Sequence, residues 1–101
     1  MARSSRLESG FQDKLKNEIE KLYPDCMVIK MEHKQGIPDL LILHGDTWAT
    51  LECKRNKNAK KQPNQDYYVH RMNTMSFSRF VYPENKEEVL YELQQTFRNR
   101  R

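Results

Sequence analysis

Residues 36–54 read GIPDLLILHGDTWATLECK, two largely apolar runs joined by Gly45-Asp46. Ile37 to His44 predicts a strand whose LLIL core is apolar on both faces, and Thr47 to Lys54 predicts another. Gly45-Asp46 has the glycine-first signature of a two-residue hairpin turn. With those two residues as the loop, Leu43 faces Trp48, Leu41 faces Thr50 and Asp39 faces Glu52. Directly opposed residues point to the same side of a sheet, with Cβ atoms roughly 4.5–5.5 Å apart. Alternation along the second run puts Lys54 on that side too. Three ionisable groups therefore converge at one end of a hairpin whose other positions are mostly apolar.

Opposed carboxylates repel and weaken a sheet. They are tolerable when a divalent cation sits between them, or when one is protonated or paired. Mg²⁺ suits such a place, because it takes one or two carboxylates, keeps several waters and accepts phosphate oxygens as further ligands. A lysine beside it can hold an attacking water or stabilise developing negative charge. The alternative is plainer: Glu52 and Lys54 form a same-face ion pair, and Asp39 is a polar strand-starter after Pro38.

Outward from the hairpin, the pattern predicts helix, three strands, helix, strand, helix. Residues 1–8 are polar and aperiodic and predict a flexible arm. Ser9 reads as an N-cap for a helix carrying Phe11, Leu15, Ile19 and Leu22 on one stripe, closed by Tyr23-Pro24. Residues 26–31, CMVIKM, predict a strand. RNKNAKKQPN, 55–64, reads as a basic loop, and Asn64 or Pro63 starts a helix with Gln65, Tyr68, Val69, Met72 and Met75 near one face. Ser78 to Tyr82 predicts a short strand, and Pro83-Glu84 open a last helix with Val89, Leu90, Leu93 and Phe97. The class is α/β, a mixed sheet with helices able to cover both faces. On the first helix, Glu18 falls within the apolar stripe. It either supplies a third carboxylate to a metal or snorkels at the stripe edge.

The chain has 101 residues and a net charge of +4, with 37% hydrophobic and 32% charged residues. That length is one domain, expected to span 9–97 with a basic tail at 98–101. Residues 53–81 hold seven bases against one acid, Asp66. Arg98, Arg100 and Arg101 form a second basic cluster. Segregated positive charge suits a polyphosphate partner, or else a solvated lysine loop. No apolar run approaches the ~18 residues of a membrane span, and the start lacks a signal-peptide core. Cys26 and Cys53 make neither a disulfide framework nor a zinc site. The expectation is a reduced, cytoplasmic protein that uses neither a membrane nor a small-molecule cofactor.

Gly36-Ile37-Pro38-Asp39, the apolar strand, the turn and Glu52-Cys53-Lys54 resemble the PD-(D/E)XK nuclease motif. More narrowly, residues 9 to 95 resemble a stand-alone phage-type VRR-Nuc (virus-type replication-repair nuclease) domain. The resemblance implies a restriction-endonuclease-like core and a Mg²⁺-dependent DNA endonuclease, with Mn²⁺ able to substitute. It maps Asp39 and Glu52 onto the metal-binding acids and the backbone carbonyl of Cys53 onto a usual further ligand. Lys54 matches the catalytic lysine, Glu18 the first-helix acid and Gln65 a glutamine lining the site. The tyrosine that one branch of the superfamily places four residues after that glutamine is here Val69, with Tyr68 one residue early. Arg55, Lys57, Lys60 and Lys61 would grip DNA. The resemblance further implies a homodimer acting on four-way (Holliday) junctions in replication, recombination or repair. Flaps, single strands or duplex ends are the alternative substrates, and a non-catalytic nucleic-acid-binding protein is the alternative class.

The other candidates read as structural. His33, His44 and His70 have neither metal-ligand spacing nor a neighbouring nucleophile. Met72, Met75, Phe77 and Phe80 read as core or dimer patch, Trp48 and Leu43 as a packing pair, and Cys53 lies on the face opposite the acids.

Overall fold

The computed structural model describes residues 6–32 and 34–99. Its elements run α1 (Arg6–Leu22), β1 (Met27–Lys30), β2 (Leu40–His44), β3 (Thr47–Cys53), α2 (Gln65–Met75), β4 (Phe77–Val81) and α3 (Lys86–Asn99). The strands form one sheet in the order β1-β2-β3-β4. β1–β2 and β2–β3 pair antiparallel, while β3–β4 pair parallel through the α2 crossover. The domain is thus a small α/β fold with three helices and a mixed four-stranded sheet. Among the described residues no helix is long and apolar enough to cross a membrane.

The hairpin register is the expected one, with Leu43 opposite Trp48 and Leu41 opposite Thr50. Gly45 has φ +61° and Asp46 is not left-handed. Positive φ at the first loop position alone is the type II′ pattern, whose twist matches that of the flanking strands.

Alternation sorts the side chains of the central strands to two sides. Leu40, Ile42, Ala49, Leu51 and Cys53 join Leu15 and Ile19 of α1 and Val89, Leu93 and Phe97 of α3 in one core. On the other side Thr50 donates to Ser78 Oγ at 2.8 Å, and Glu52 accepts from Gln65 of α2. Helices cover both faces of β3, which is why Glu52 and Lys54 are buried at all. Because α2 packs over β3 and β4, the same face of β1 and β2 stays open. Met27, Ile29 and Leu43 are exposed there.

Several expectations are corrected. α1 begins at Arg6, so Ser9 is a residue within the helix and not its cap. Of the proposed arm, residues 1–5 lie outside the described residues and residues 6–8 are helical. β2 begins at Leu40 and not Ile37. Pro38 has no N–H to give a ladder, and Gly36 (φ +91°) sits in a turn closed by Ile37 N–H to the Lys34 carbonyl. α3 begins at Lys86, because Asn85 first bonds Tyr82 N–H and the Phe80 carbonyl through its side chain. Of the residues read as core or dimer patch, Met75 is exposed and so lies outside the core, whereas Phe77 is buried in it. In the proposed basic tail Arg98 belongs to α3, while Arg100 and Arg101 lie outside the described residues, as does His33. His44 packs against the rings of Tyr23 and Phe97, which also touch each other, a structural role.

Candidate active site

The end of the hairpin where Asp39, Glu52 and Lys54 converge opens into a cleft of about 740 Å³. One wall is the start of α1, with Glu8, Ser9 and Gln12, and another is the segment from Arg55 to Gln62. Glu8, Asp39 and Glu52 each offer a carboxylate oxygen, and these oxygens lie within 4.8 Å of one another.

Each acid is held differently. Asp39 follows Pro38 at the mouth of β2, and its Oδ2 accepts the Cys53 N–H at 2.9 Å. Glu52, 2% exposed, accepts at Oε2 from Gln65 Nε2 at 2.8 Å. The amide of Gln65 is oriented by its other end, where Oε1 accepts the Gln62 N–H at 2.8 Å. Lys54 Nζ lies 4.0 Å from Glu52 Oε2 and donates to the Lys60 carbonyl at 3.1 Å. Glu52 Oε1 is buried with no donor among the described residues. The Asp39 carboxylate could bond it only if one of the two carried a proton.

Electrostatics follow from this arrangement. Burial, and then the negative charge of Asp39, push the Glu52 carboxyl up to about 9, against the pull of Lys54. Burial also raises Asp39, against the Cys53 N–H bond that favours its charged form. Both shifts act to keep one proton on the metal-free pair at neutral pH, chiefly on Glu52. Burial and both neighbouring acids raise the Cys53 thiol far above its ordinary range, so it is no nucleophile.

No family model matches this chain, and no curated protein or solved structure matches it.

Of the residues expected at the site, the structure brings together Asp39, Glu52, Lys54 and Gln65. It does not bring Glu18, whose Oε1 accepts from Lys86 Nζ at 2.8 Å beside Leu22 and Tyr91, between α1 and α3. Glu18 lies ten residues beyond Glu8, roughly 15 Å along the helix axis, so both cannot serve one centre. Glu8 takes the place assigned to Glu18. Position 8 continues the stripe Phe11, Leu15, Ile19 backwards by one turn, a continuation that carries weight only because α1 starts at Arg6. Of the basic residues, Arg55 and Lys60 line the cleft and Lys57 is exposed outside it. Lys61 is engaged with Asp66 at 3.1 Å and lies 4.3 Å over the Phe80 ring. Lys30, which the sequence reading missed, lines the cleft from β1 and is held by Asp13 at 2.8 Å.

Asp39→Asn keeps an acceptor for the Cys53 N–H and spares the fold the burial of a carboxylate. In chelator at neutral pH it is expected to unfold in urea at the wild-type midpoint or above. Asp39→Ala leaves that N–H unpaired and is expected to lose about 1–3 kcal/mol. An Asn variant much less stable than wild type would mean that Asp39 is ionised and favourably paired in the metal-free fold.

Proposed function

We propose that this cleft is the active site of a divalent-cation-dependent DNA endonuclease with a PD-(D/E)XK, restriction-endonuclease-like core. The observation that carries the reading is the fully buried Oε1 of Glu52, which without metal finds a partner only by sharing a proton with Asp39, beside two further carboxylates and a buried lysine. A buried acid without a donor is costly, and a hard cation bound by oxygens relieves that cost. The donor set, all carboxylates with room for water and phosphate, fits Mg²⁺, or Mn²⁺ in its place.

Asp39, Glu52 and Glu8 would hold the ion, with the Cys53 carbonyl as a further ligand. When bound, the ion would supply charge neutralisation at the scissile phosphate and a more acidic water. Gln65 fixes the rotamer of Glu52. Lys54, tethered to the Lys60 carbonyl, presents its ammonium to the attacking water or to the charge that develops on phosphate. Arg55, Lys57 and Lys60 contact backbone phosphates, which give affinity without sequence information, and Lys30 joins them only by giving up Asp13. Lys61 reaches phosphate only by giving up Asp66.

The substrate we propose is branched DNA, with four-way junctions cut by a homodimer, since a two-fold pair offers two sites for two symmetric strands. The test is cleavage of labelled four-way junction, flap, single-stranded and linear duplex DNA, with Mg²⁺ and with chelator, alongside sedimentation of the free protein. Metal-dependent paired nicks confined to the junction, from a dimer, are expected. Cutting of flaps or single strands would keep the site and change the substrate. No cutting by folded, DNA-bound protein with any divalent metal would leave a binding protein. Within the same assay, Glu8→Ala is expected to lower cleavage by about 10- to 100-fold, and Glu18→Ala to leave it near wild type. The reverse ranking would return the first-helix role to Glu18.

A further inference from the structure

We propose that Gly36 and Asn64 are positioning residues whose mutual contact fixes where Gln65 meets Glu52; the inference rests on the cation-site reading above. Gly36 is buried at φ +91°, and a Cβ added to it would lie 2.6 Å from Asn64 Cβ, 3.0 Å from its carbonyl carbon and 3.1 Å from its oxygen. Asn64 is itself left-handed, at φ 72°, and makes no side-chain capping bond to α2. Two residues in conformations that L side chains avoid thus press against each other from separate loops.

Those loops carry the site. Asp39 stands three residues after Gly36, and Gln65 directly follows Asn64. Gln65 holds Glu52 at 2.8 Å and is itself held by Gln62 N–H. The turn from Lys34 to Ile37 requires a residue of positive φ at position 36. That alone favours glycine or asparagine there, and the 2.6 Å approach of a Cβ to Asn64 excludes the asparagine. The missing Cβ serves the approach of the two loops, and that approach sets the height of the α2 start above β3. A side chain at 36 would lift Asn64 and carry the Gln65 amide away from Glu52. Glu52 would then be free to rotate, and the carboxylate cage would loosen.

The test measures Mn²⁺ affinity of the DNA-free protein by titration calorimetry, together with the Gln65 side-chain amide resonances of metal-free protein. Gly36→Ala is expected to weaken Mn²⁺ about tenfold or more, the range seen when groups that orient metal ligands are lost, and to shift the Gln65 amide. Asn64→Gly removes the Cβ that the new methyl would strike and keeps the left-handed turn, so the double variant should recover part of the loss. In a Gln65→Ala background Gly36→Ala should cost little further affinity, since contacts acting through one residue are not additive. A folded Gly36→Ala with wild-type affinity, or with the same loss in both backgrounds, would overturn the proposal. Should Gly36→Ala not fold, Asn64→Ala displaces the same contact through backbone strain, and its loss must likewise vanish in the Gln65→Ala background. Wild-type protein that binds no Mn²⁺ would remove the cation-site reading alone. The Gln65 amide would then decide, and its staying unmoved in Gly36→Ala, or in Asn64→Ala where that is the variant that folds, would overturn the positioning role.

Discussion

Lys54→Ala is expected to lower DNA cleavage by about 10²–10⁴-fold while leaving the fold and DNA binding almost intact. Lys54 is 5% exposed, which ordinarily makes removal of a charged residue hazardous to folding. The hazard is small here, because the nearest acid, Glu52, is held up to about 9 and is neutral at pH 7 without metal. Deleting the ammonium therefore strands no charge on Glu52, and the charge left on Asp39 keeps its bond from the Cys53 N–H. What is lost is one donor to the Lys60 carbonyl and some packing of the stem, about 1–3 kcal/mol. Arg55, Lys57 and Lys60 keep their charges, so phosphate affinity should hold. Arginine at 54 should not restore activity, since its planar fork cannot place a compact charge in the same space. Single-turnover cleavage, urea unfolding and DNA binding in Ca²⁺, measured on the same preparations, separate these effects. An unfolded variant would show that the lysine serves chiefly as the structural partner of Glu52, and retained cleavage would remove it from the chemistry.

The hairpin was legible because its determinants are local. Gly45 sets the turn, the turn sets the register, and period-two alternation then delivers Asp39, Glu52 and Lys54 to one side. Gln65 was legible for a similar reason, as the first residue of a helix whose start is marked by Pro63-Asn64. Glu8 was not, because a polar, aperiodic opening hid a helix that tertiary contact with the sheet stabilises beyond its own propensity. With the helix read from Ser9, Glu18 was the acid left on the stripe, whereas the structure places Glu8 beside Asp39 and Glu52. An acid inside an apolar stripe can face either end of the helix, and the stripe alone does not say which end meets the cleft. Lys30 and the Gly36–Asn64 contact were out of reach for another reason. Both depend on which strands and loops become neighbours across the sheet, and neither local pattern nor charge carries that information. The open face of Met27, Ile29 and Leu43 follows in turn from α2 being too short and too far across the sheet to reach β1.

In chelator, the stability of wild-type protein is expected to fall as pH rises from about 4.5 to about 9, and Glu52→Gln to abolish most of that fall. The sign follows from proton counting. The Glu52 carboxyl is raised from 4.5 to about 9 in the fold, so between those values the folded chain binds a proton that the unfolded chain has released. Stability decreases with pH wherever the native state binds more protons. Its contribution is fully present below the unfolded value and is lost as pH passes through the folded one, at about 1 kcal/mol or more per pH unit inside the window. Asp39, also raised, acts in the same direction at the acid end. Glutamine keeps a neutral side chain of the same shape at every pH, so the variant should be the more stable protein at about pH 9 in chelator. Mg²⁺ should invert the order. Wild-type protein exchanges its proton for the ion, binds more tightly as pH rises, and gains stability by mass action, whereas the glutamine variant gains little. Urea midpoints at about pH 6 and about pH 9, with and without Mg²⁺, give the comparison, and the wild-type-minus-variant difference cancels the other titrating groups. Parallel curves for the two proteins in chelator would mean that Glu52 is ionised in the metal-free fold and satisfied by Lys54. The orphaned Oε1 would then no longer argue for a cation.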